Sequence, residues 1–235
     1  MSGINLITLL CTDGERYLPI DYRIYNKFVD ALTKNSHFSD MLRRAAERGF
    51  APETVLFGSW HSGLENLKLI RPFGWRWLTR LKFNRHMNPD RTGSRPLCEV
   101  ELSESVEIVH LKGYGMIKVF KKVRTDDDFE CWATNDLKMT DLLRLKYAEI
   151  SGMIETYHGG VKQFCGIEQC QARSERAQRN RIEMASRAFL RIENISLSRE
   201  SLGFRQRFQL SAMLSAAYLA KPTYGLEPIN LYATA

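Results

Sequence analysis

The run Thr54-Val-Leu-Phe57, held between Pro52 and Gly58, constrains the fold more than any other stretch. It reads as a short apolar strand of the buried, parallel kind, covered on both faces of its sheet. Parallel neighbours need a crossover connection, usually a helix, and the flanking sequence supplies candidates. Upstream, Asn35 or Ser36 can cap a helix that reaches Arg48, with Phe38, Met41, Leu42 and Ala45 on one face and Gly49 as its stop. Downstream, Ser62 and Glu65 have the spacing of a capping box that opens a helix over Gly63–Ile70. Further back, the β-rich run Gly3–Cys11, the Asp13-Gly14 turn signal and Tyr17–Tyr25 spell a hairpin. Hairpin, helix, buried strand and helix in this order indicate an α/β or α+β sheet domain. Ligands in such sheets sit at the carboxyl ends of strands, and Gly58 occupies such an end. Glycine offers no ligand atom, so chemistry alone makes Gly58 a turn residue.

Trp75–Lys82 alternates, with Arg76, Arg80 and Lys82 on one side and Trp75, Trp77 and Leu81 on the other. That side suits a DNA backbone or, equally, the solvated edge of a sheet. Asn84–Pro96, with Asn88-Pro89 and Thr92-Gly93, reads as a loop. Leu97–Leu102, Val106–Leu111, Gly115–Val123 and Phe129–Thr134 read as four short strands, with Lys112-Gly113 and Thr125–Asp128 as turns. The run Asp126–Asp128 fits a solvated hairpin tip, and Asp136 fits a helix-start loop. Thr140 can cap a helical region running to about Cys170. Ala172–Asn194 reads as a second helix, with Ile182, Ala185, Ala188 and Phe189 buried. Its arginines Arg173, Arg176, Arg179, Arg181, Arg187 and Arg191 are spread round it. They fit a phosphate-binding surface or a solubilising face at comparable odds. Phe204–Leu219 reads as a last helix, and Pro222 to Ala235 as a loose tail.

Gly152–Gly166 reads G-M-I-E-T-Y-H-G-G-V-K-Q-F-C-G. At about 100° per residue, Glu155, His158, Gly159 and Lys162 share one helical face. Ile150, Met153, Ile154, Tyr157, Val161 and Phe164 supply apolar contacts beside it. An acid that holds a metal and a lysine that steadies an anion suit work on phosphate. An ordinary amphipathic helix has the same pattern, and periodicity alone prefers it. The net charge of +7 over 235 residues favours an anionic partner, nucleic acid first. No apolar run reaches the roughly 18 residues of a membrane span, and the N-terminus lacks the features of a secretory signal. Cys11, Cys98, Cys131, Cys165 and Cys170 are scattered and odd in number, which fits a reducing compartment. Cys165 and Cys170 with His158 lack the spacing and the fourth ligand of a structural zinc site.

Five stretches then carry a family resemblance: G-I-N-L-I-T-L-L-C-T-D-G at Gly3–Gly14, V-L-F-G-S-W-H-S-G-L-E-N-L-K at Val55–Lys68, and H-L-K-G-Y-G at His110–Gly115. The others are W-A-T-N-D-L at Trp132–Leu137 and I-E-T-Y-H-G-G-V-K-Q-F-C-G-I-E at Ile154–Glu168, followed by A-Q-R-N at Ala177–Asn180. Together, in this order, they resemble the DDE transposases of bacterial insertion sequences, in the "IS four" lineage and its "IS seven-oh-one"-like branch.

The resemblance implies an α/β, RNase H-like mixed sheet with flanking helices, lacking its first strand, with a β-strand insertion before the catalytic-glutamate helix. The implied divisions are 1–82 for a partial core, 83–136 for the insertion, 137–194 for the C-terminal helices of the core and 195–235 for a loosely matched tail. In the family, acidic residues hold two divalent ions, magnesium or manganese, that drive in-line attack on DNA phosphates. The third acid maps to Glu155 and the family lysine to Lys162. The second aspartate maps to Gly58, the arginine after the histidine maps to Gly159, and the first aspartate lies ahead of anything matching Gly3. A lone carboxylate is a poor magnesium site, and a missing strand leaves an open sheet edge.

The implied partner is DNA, at transposon ends and target, with Arg76, Arg80, Lys82, His158, Arg173, Arg176 and Arg179 as candidate contacts. A homodimer is the assembly considered, in a bacterial cytoplasm at the nucleoid, with no membrane and no small-molecule substrate. The expectation is therefore transposase as the family function, in a chain that is itself catalytically inactive. The alternative is a non-catalytic DNA-binding module acting on transposon ends or on an active relative. A third reading puts Asp136 or Asp21 beside Glu155 in place of the lost acids.

Overall fold

The computed structural model describes residues 5–28, 30–82, 84–89, 93–100, 106–125, 128–171 and 174–197. It falls into two compact units, Met1–Tyr157 and His158–Ala235. The first begins with the expected hairpin, β1 (Asn5–Thr12) antiparallel to β2 (Tyr17–Tyr25). Asp13 closes its turn by accepting from the backbone N–H groups of Glu15 at 3.0 Å and Arg16 at 2.9 Å. Helix α1 (Lys34–Glu47) buries Phe38, Met41, Leu42 and Ala45, the face its spacing requires. Its cap is Thr33 rather than Asn35 or Ser36: the Thr33 hydroxyl accepts from the Ser36 N–H at 3.1 Å.

Strand β3 (Thr54–Phe57) pairs in parallel with β4 (Arg76–Arg80), and helix α2 (Leu64–Ile70) lies in the crossover between them. The Ser62–Glu65 capping box does not form. Ser62 instead donates to the Ser59 carbonyl at 2.8 Å, within a single 3-10 turn over Ser59–His61, and Gly63 takes the cap position without a side-chain bond. Beyond β4 the sheet continues through β5 (His86–Asn88), β6 (Arg95–Pro96), β7 (Val106–Leu111), β8 (Gly115–Thr125) and β9 (Asp128–Thr134). The strand order is β3-β4-β9-β8-β7-β5-β6. The stretch read as a loop over Asn84–Pro96 thus contributes two short strands, whose lengths are too small to show a period. Of the strand expected over Leu97–Leu102, Leu97–Glu99 is a 3-10 turn, and the end of it lies outside the described residues.

Strand β4 is interior rather than an edge, with β3 on one side and antiparallel β9 on the other. Trp77, Leu78 and Thr79 are buried, so both faces of the strand are covered. Trp77 joins Phe38, Phe57, Leu67, Ile70 and Val109 in the larger core cluster, under α1 and α2. On the opposite face Leu78 meets Phe120, Trp132 and Met139, with Leu143 and Tyr147 from the next helix packed against them. Asn135 extends the pairing beyond β9 with its side chain. Its Oδ1 accepts from the Trp77 N–H at 2.8 Å and its Nδ2 donates to the Trp75 carbonyl at 3.2 Å. The H-L-K-G-Y-G stretch is a turn with Gly113 at φ 78° and Gly115 at φ 117°, where side chains are disfavoured. Between them Tyr114 accepts a hydrogen bond from Trp77 Nε1 at 2.9 Å.

The hairpin forms its own two-stranded sheet, and β3 is an edge of the larger one. Among the described residues no strand bridges the two.

Helix α3 (Asp141–Gln163) is capped by Thr140, whose hydroxyl accepts from the Leu143 N–H at 3.2 Å. It stops short of Cys170, because Gly166 adopts a left-handed conformation at φ 64° and turns the chain. Within the second unit, helix α4 (Glu175–Leu197) buries Ile182, Ala185 and Phe189, while Ala188 is half-buried. Arg181 Nε donates to the Gly166 carbonyl at 2.8 Å. The last helix read at Phe204–Leu219 and the tail after it lie outside the described residues.

Candidate functional site

The carboxyl ends of the parallel strands β3 and β4 lead into Gly58 and Lys82. Gly58 has φ −75° and ψ 166°, extended backbone that any residue adopts. A Cβ built there meets nothing within 4 Å. Nothing in the backbone or the packing therefore requires glycine at this position, and an aspartate fits without strain.

Immediately after Gly58, the turn Ser59–His61 turns two rings in opposite directions. His61 goes inward, stacked on Phe38 with ring centroids 4.7 Å apart. Its Nδ1 lies 3.1 Å from Asn35 Oδ1, which also accepts from Asn66 Nδ2 at 3.1 Å. The Asn35 oxygen is an acceptor in both bonds, so His61 carries its proton on Nδ1. Trp60 goes outward and is 61% exposed. Lys82 Nζ lies 4.9 Å from the Trp60 ring centroid and Lys34 Nζ 5.8 Å from it. Lys34 also sits 5.4 Å above the Tyr25 ring. Periodicity missed Lys34 and Trp60, since neither helix nor strand spacing marks a three-residue turn. The signal available was a tryptophan two places after a strand-ending glycine, where no core face can bury it.

Burial, and then the charges of Lys34 and Lys82, lower the His61 pKa from 6.5 to about 4. A histidine with a depressed folded pKa resists protonation, so acid favours the unfolded chain. Its contribution to stability is complete above about pH 6.5 and is lost as the pH falls towards about 4. The expected result is a His61 NMR titration midpoint near 4 and a urea midpoint that falls over the same interval. A midpoint near the ordinary histidine value would show that the ring is not held as described.

The remaining candidates are distributed more widely. Glu155 is exposed on α3 and makes no hydrogen bond or ion pair among the described residues. His158, half-buried, and Lys162, exposed, follow on the same helix, where Lys162 Nζ lies 3.0 Å from Glu168 Oε1. Tyr157 and Val161 are buried as the spacing demands, but Phe164 is 46% exposed. Arg76 pairs with Glu53 at 3.0 Å and Asp136 at 3.4 Å. Arg80 pairs with Glu130 at 3.0 Å and lies 4.9 Å from the Trp132 ring centroid. Both arginines are thus partly neutralised within the sheet, whereas Lys82 has no ion pair among the described residues. Arg179 pairs with Glu175 at 2.7 Å, Arg176 is exposed, and Arg173 lies outside the described residues.

The substitute acids are both paired with arginines. Asp21 is tied to Arg23 and to Arg48 within the first unit. Asp136 lies beside Arg76 at the start of β4, whereas Gly58 lies level with the end of β4. At roughly 3.3 Å per residue, about 13 Å of strand separates them. Among the described residues no group of three or more histidine, cysteine, aspartate or glutamate side chains is placed to hold a metal ion. Gly58 adds no oxygen to the donor set that the resemblance implies for magnesium or manganese. Burial pushes the Cys165 thiol up to about 11. No helix among the described residues is long and apolar enough to cross a membrane.

No family model matches the sequence, and no curated protein matches it. Among solved structures, the chain is similar to a piggyBac transposase in a cryo-EM synaptic complex with hairpin DNA. The TM-score is 0.56 at 11% identity, over 95% of this chain and 49% of that one, so this chain spans about half the length of that transposase. The likeness is one of architecture: this chain has a mixed α/β, RNase H-like fold, with helices flanking its sheet.

Proposed function

We propose that the chain is a DNA-binding protein of DDE transposase ancestry, in the "IS four" lineage of bacterial insertion sequences, that does not perform strand transfer. The observation that carries this reading is Gly58. On a transposase fold, at the carboxyl end of a parallel strand, a residue that the backbone does not require to be glycine stands where the resemblance puts a metal-binding aspartate. Glu155 remains, exposed and outside any group of three or more metal-ligating side chains among the described residues. A magnesium site normally draws on carboxylates, waters and substrate oxygens together. Gly58 supplies no carboxylate to one.

The net charge of +7 and the lysines beside Trp60, which have no ion pair among the described residues, support binding to a polyanion, and the family implies DNA. The setting that accompanies this reading is the bacterial nucleoid.

The test is nicking of supercoiled DNA in magnesium or manganese by the chain, by its Glu155→Ala variant and by Gly58→Asp. We expect no nicking from any of the three. Gly58→Asp should fold with stability unchanged or raised by about 0.5 kcal/mol, since it loses glycine's unfolded-state entropy at a compatible backbone. Nicking that disappears in Glu155→Ala would defeat the inactive reading. Duplex binding that weakens steeply with salt is the expected companion result, and salt-insensitive or absent binding would defeat DNA binding itself.

A further inference from the structure

The most exposed tryptophan of the chain lies between two lysines. The chain has four tryptophans. Trp75, Trp77 and Trp132 are 7%, 0% and 5% exposed, whereas Trp60 is 61% exposed. Most surface cations described above lie against a carboxylate. Lys34 and Lys82 do not: among the described residues Lys34 donates to the Asn5 side-chain oxygen at 3.3 Å, and neither lysine has an ion pair. Their charges are felt by His61, whose proton both oppose. The patch lies at the carboxyl ends of β3 and β4, where sheets of this kind receive ligands. The first turn of the 14-residue helix α1 adjoins it through the Asn35–His61 contact, adding the partial positive charge of a helix start.

An exposed indole between unneutralised lysines is the chemistry of a single-strand platform. A base stacks on the ring, and the ammonium groups take the phosphates on either side. A base inside a duplex already stacks on its neighbours and cannot offer its face, so the occupant has an unpaired base. We propose that Trp60 is the stacking platform for an unpaired DNA base, with Lys34 and Lys82 holding the adjoining phosphates. This rests on the reading of the chain as a DNA-binding protein and adds to it a preference for unpaired nucleotides. On binding, a lysine moves from the ring face to a phosphate, and the base takes its place.

Because the other tryptophans are buried, quenching of intrinsic fluorescence reports mainly on Trp60. The full chain is titrated with an oligothymidylate of about 12 nucleotides and, separately, with a duplex of the same length. The oligothymidylate should quench the exposed tryptophan, and the duplex should leave it bright. With a fluorescein-labelled oligothymidylate followed by anisotropy, Trp60→Ala should weaken binding roughly 5- to 150-fold, the range for one stacked base. Duplex affinity and thermal midpoint should stay as in the parent chain. Lys34→Ala and Lys82→Ala should each flatten the salt dependence of oligothymidylate binding by about 0.7 in log–log slope, and Trp60→Ala should not.

Unchanged oligothymidylate affinity in Trp60→Ala, with duplex binding intact, would overturn the platform and leave the DNA-binding reading standing. Absence of binding to either DNA would overturn both. Tighter binding to an oligouridylate than to the oligothymidylate would overturn the assignment to DNA.

Discussion

Replacing Trp77 with alanine lowers the free energy of unfolding by about 3–5 kcal/mol. Domains of this size are stable by only about 5–15 kcal/mol, so the variant sits near the limit of folding. The reason is the position of the side chain. Trp77 has no exposed surface, and it lies on the central part of β4 between β3 and β9. Truncation leaves a cavity and also removes the Nε1–H that Tyr114 accepts at 2.9 Å. Tyr114 is itself buried, and Arg71 is stacked on it with the guanidinium 4.1 Å from the ring centroid and donates to its carbonyl. A second variant separates the two effects. Trp77→Phe keeps most of the volume but loses the donor, so it costs about 1–3 kcal/mol, the penalty of a buried hydroxyl without its partner. Urea denaturation followed by circular dichroism measures both. A loss under about 1 kcal/mol for Trp77→Ala would contradict the packing described around β4. The functional consequence is local: β4 holds β3 in register, and β3 ends at Gly58.

Asp141→Ala has the second large effect, about 3 kcal/mol, at the low end of the range for breaking a buried ion pair because Asp141 is partly exposed. Arg144 is almost fully buried, and its Nε lies 2.7 Å from Asp141 Oδ1. The other Asp141 oxygen lies 2.7 Å from Lys122 Nζ, on β8. Removing the carboxylate leaves a buried guanidinium whose Nη2 already has no hydrogen-bond partner among the described residues. Arg144→Met in the same background should recover most of the loss, since it removes the stranded charge. A double-mutant cycle reads the coupling, and a coupling near zero would show that the pair contributes nothing.

The pH dependence has a fixed sign. Burial raises the Asp141 pKa, but bonds and charges from Lys122 and Arg144 outweigh it, and the net shift is downward. A depressed carboxylate contributes stability above its ordinary pKa of about 4 and loses it as the pH falls through the lowered value. Acid therefore loosens the start of α3, the helix that carries Glu155. It acts in the same direction as at His61, but at lower pH.

Much of the fold was legible because one face of each element is buried and the period shows it. The hairpin, the buried face of α1, the parallel strand Thr54–Phe57 and the strands β7 to β9 all fall close to where their patterns put them. The sequence was less informative where competing caps or short segments are chemically equivalent. Thr33, Asn35 and Ser36 can each cap a helix, and Thr33 takes the cap of the helix whose Phe38 and Leu42 enter the core. His86–Asn88 and Arg95–Pro96 are strands only because β7 offers an edge for β5, which in turn pairs with β6. The candidate site divides in the same way. Helical spacing put Glu155, His158 and Lys162 forward as candidates, and alternation put Lys82 forward. Lys34 and Trp60 come from a helix start and a three-residue turn, which have no period.

By itself, the sequence determined the kind of sheet. An apolar strand without a polar face is stable only when covered on both sides, and the helical faces that cover it are written nearby. It also determined that glycine, which has no oxygen to offer, stands at the end of that strand. The tertiary structure decided what the charges are free to do. Arg76 and Arg80 look like a basic edge along the chain, but folding places Glu53, Asp136 and Glu130 against them. Lys34 and Lys82 are 48 residues apart in the numbering, and folding brings both to Trp60 with no carboxylate paired to either among the described residues. Electrostatic pairing acts over a few ångströms of space rather than along the chain. Which cations remain available to a phosphate was therefore settled only when β4, the turn after β3 and the start of α1 came together.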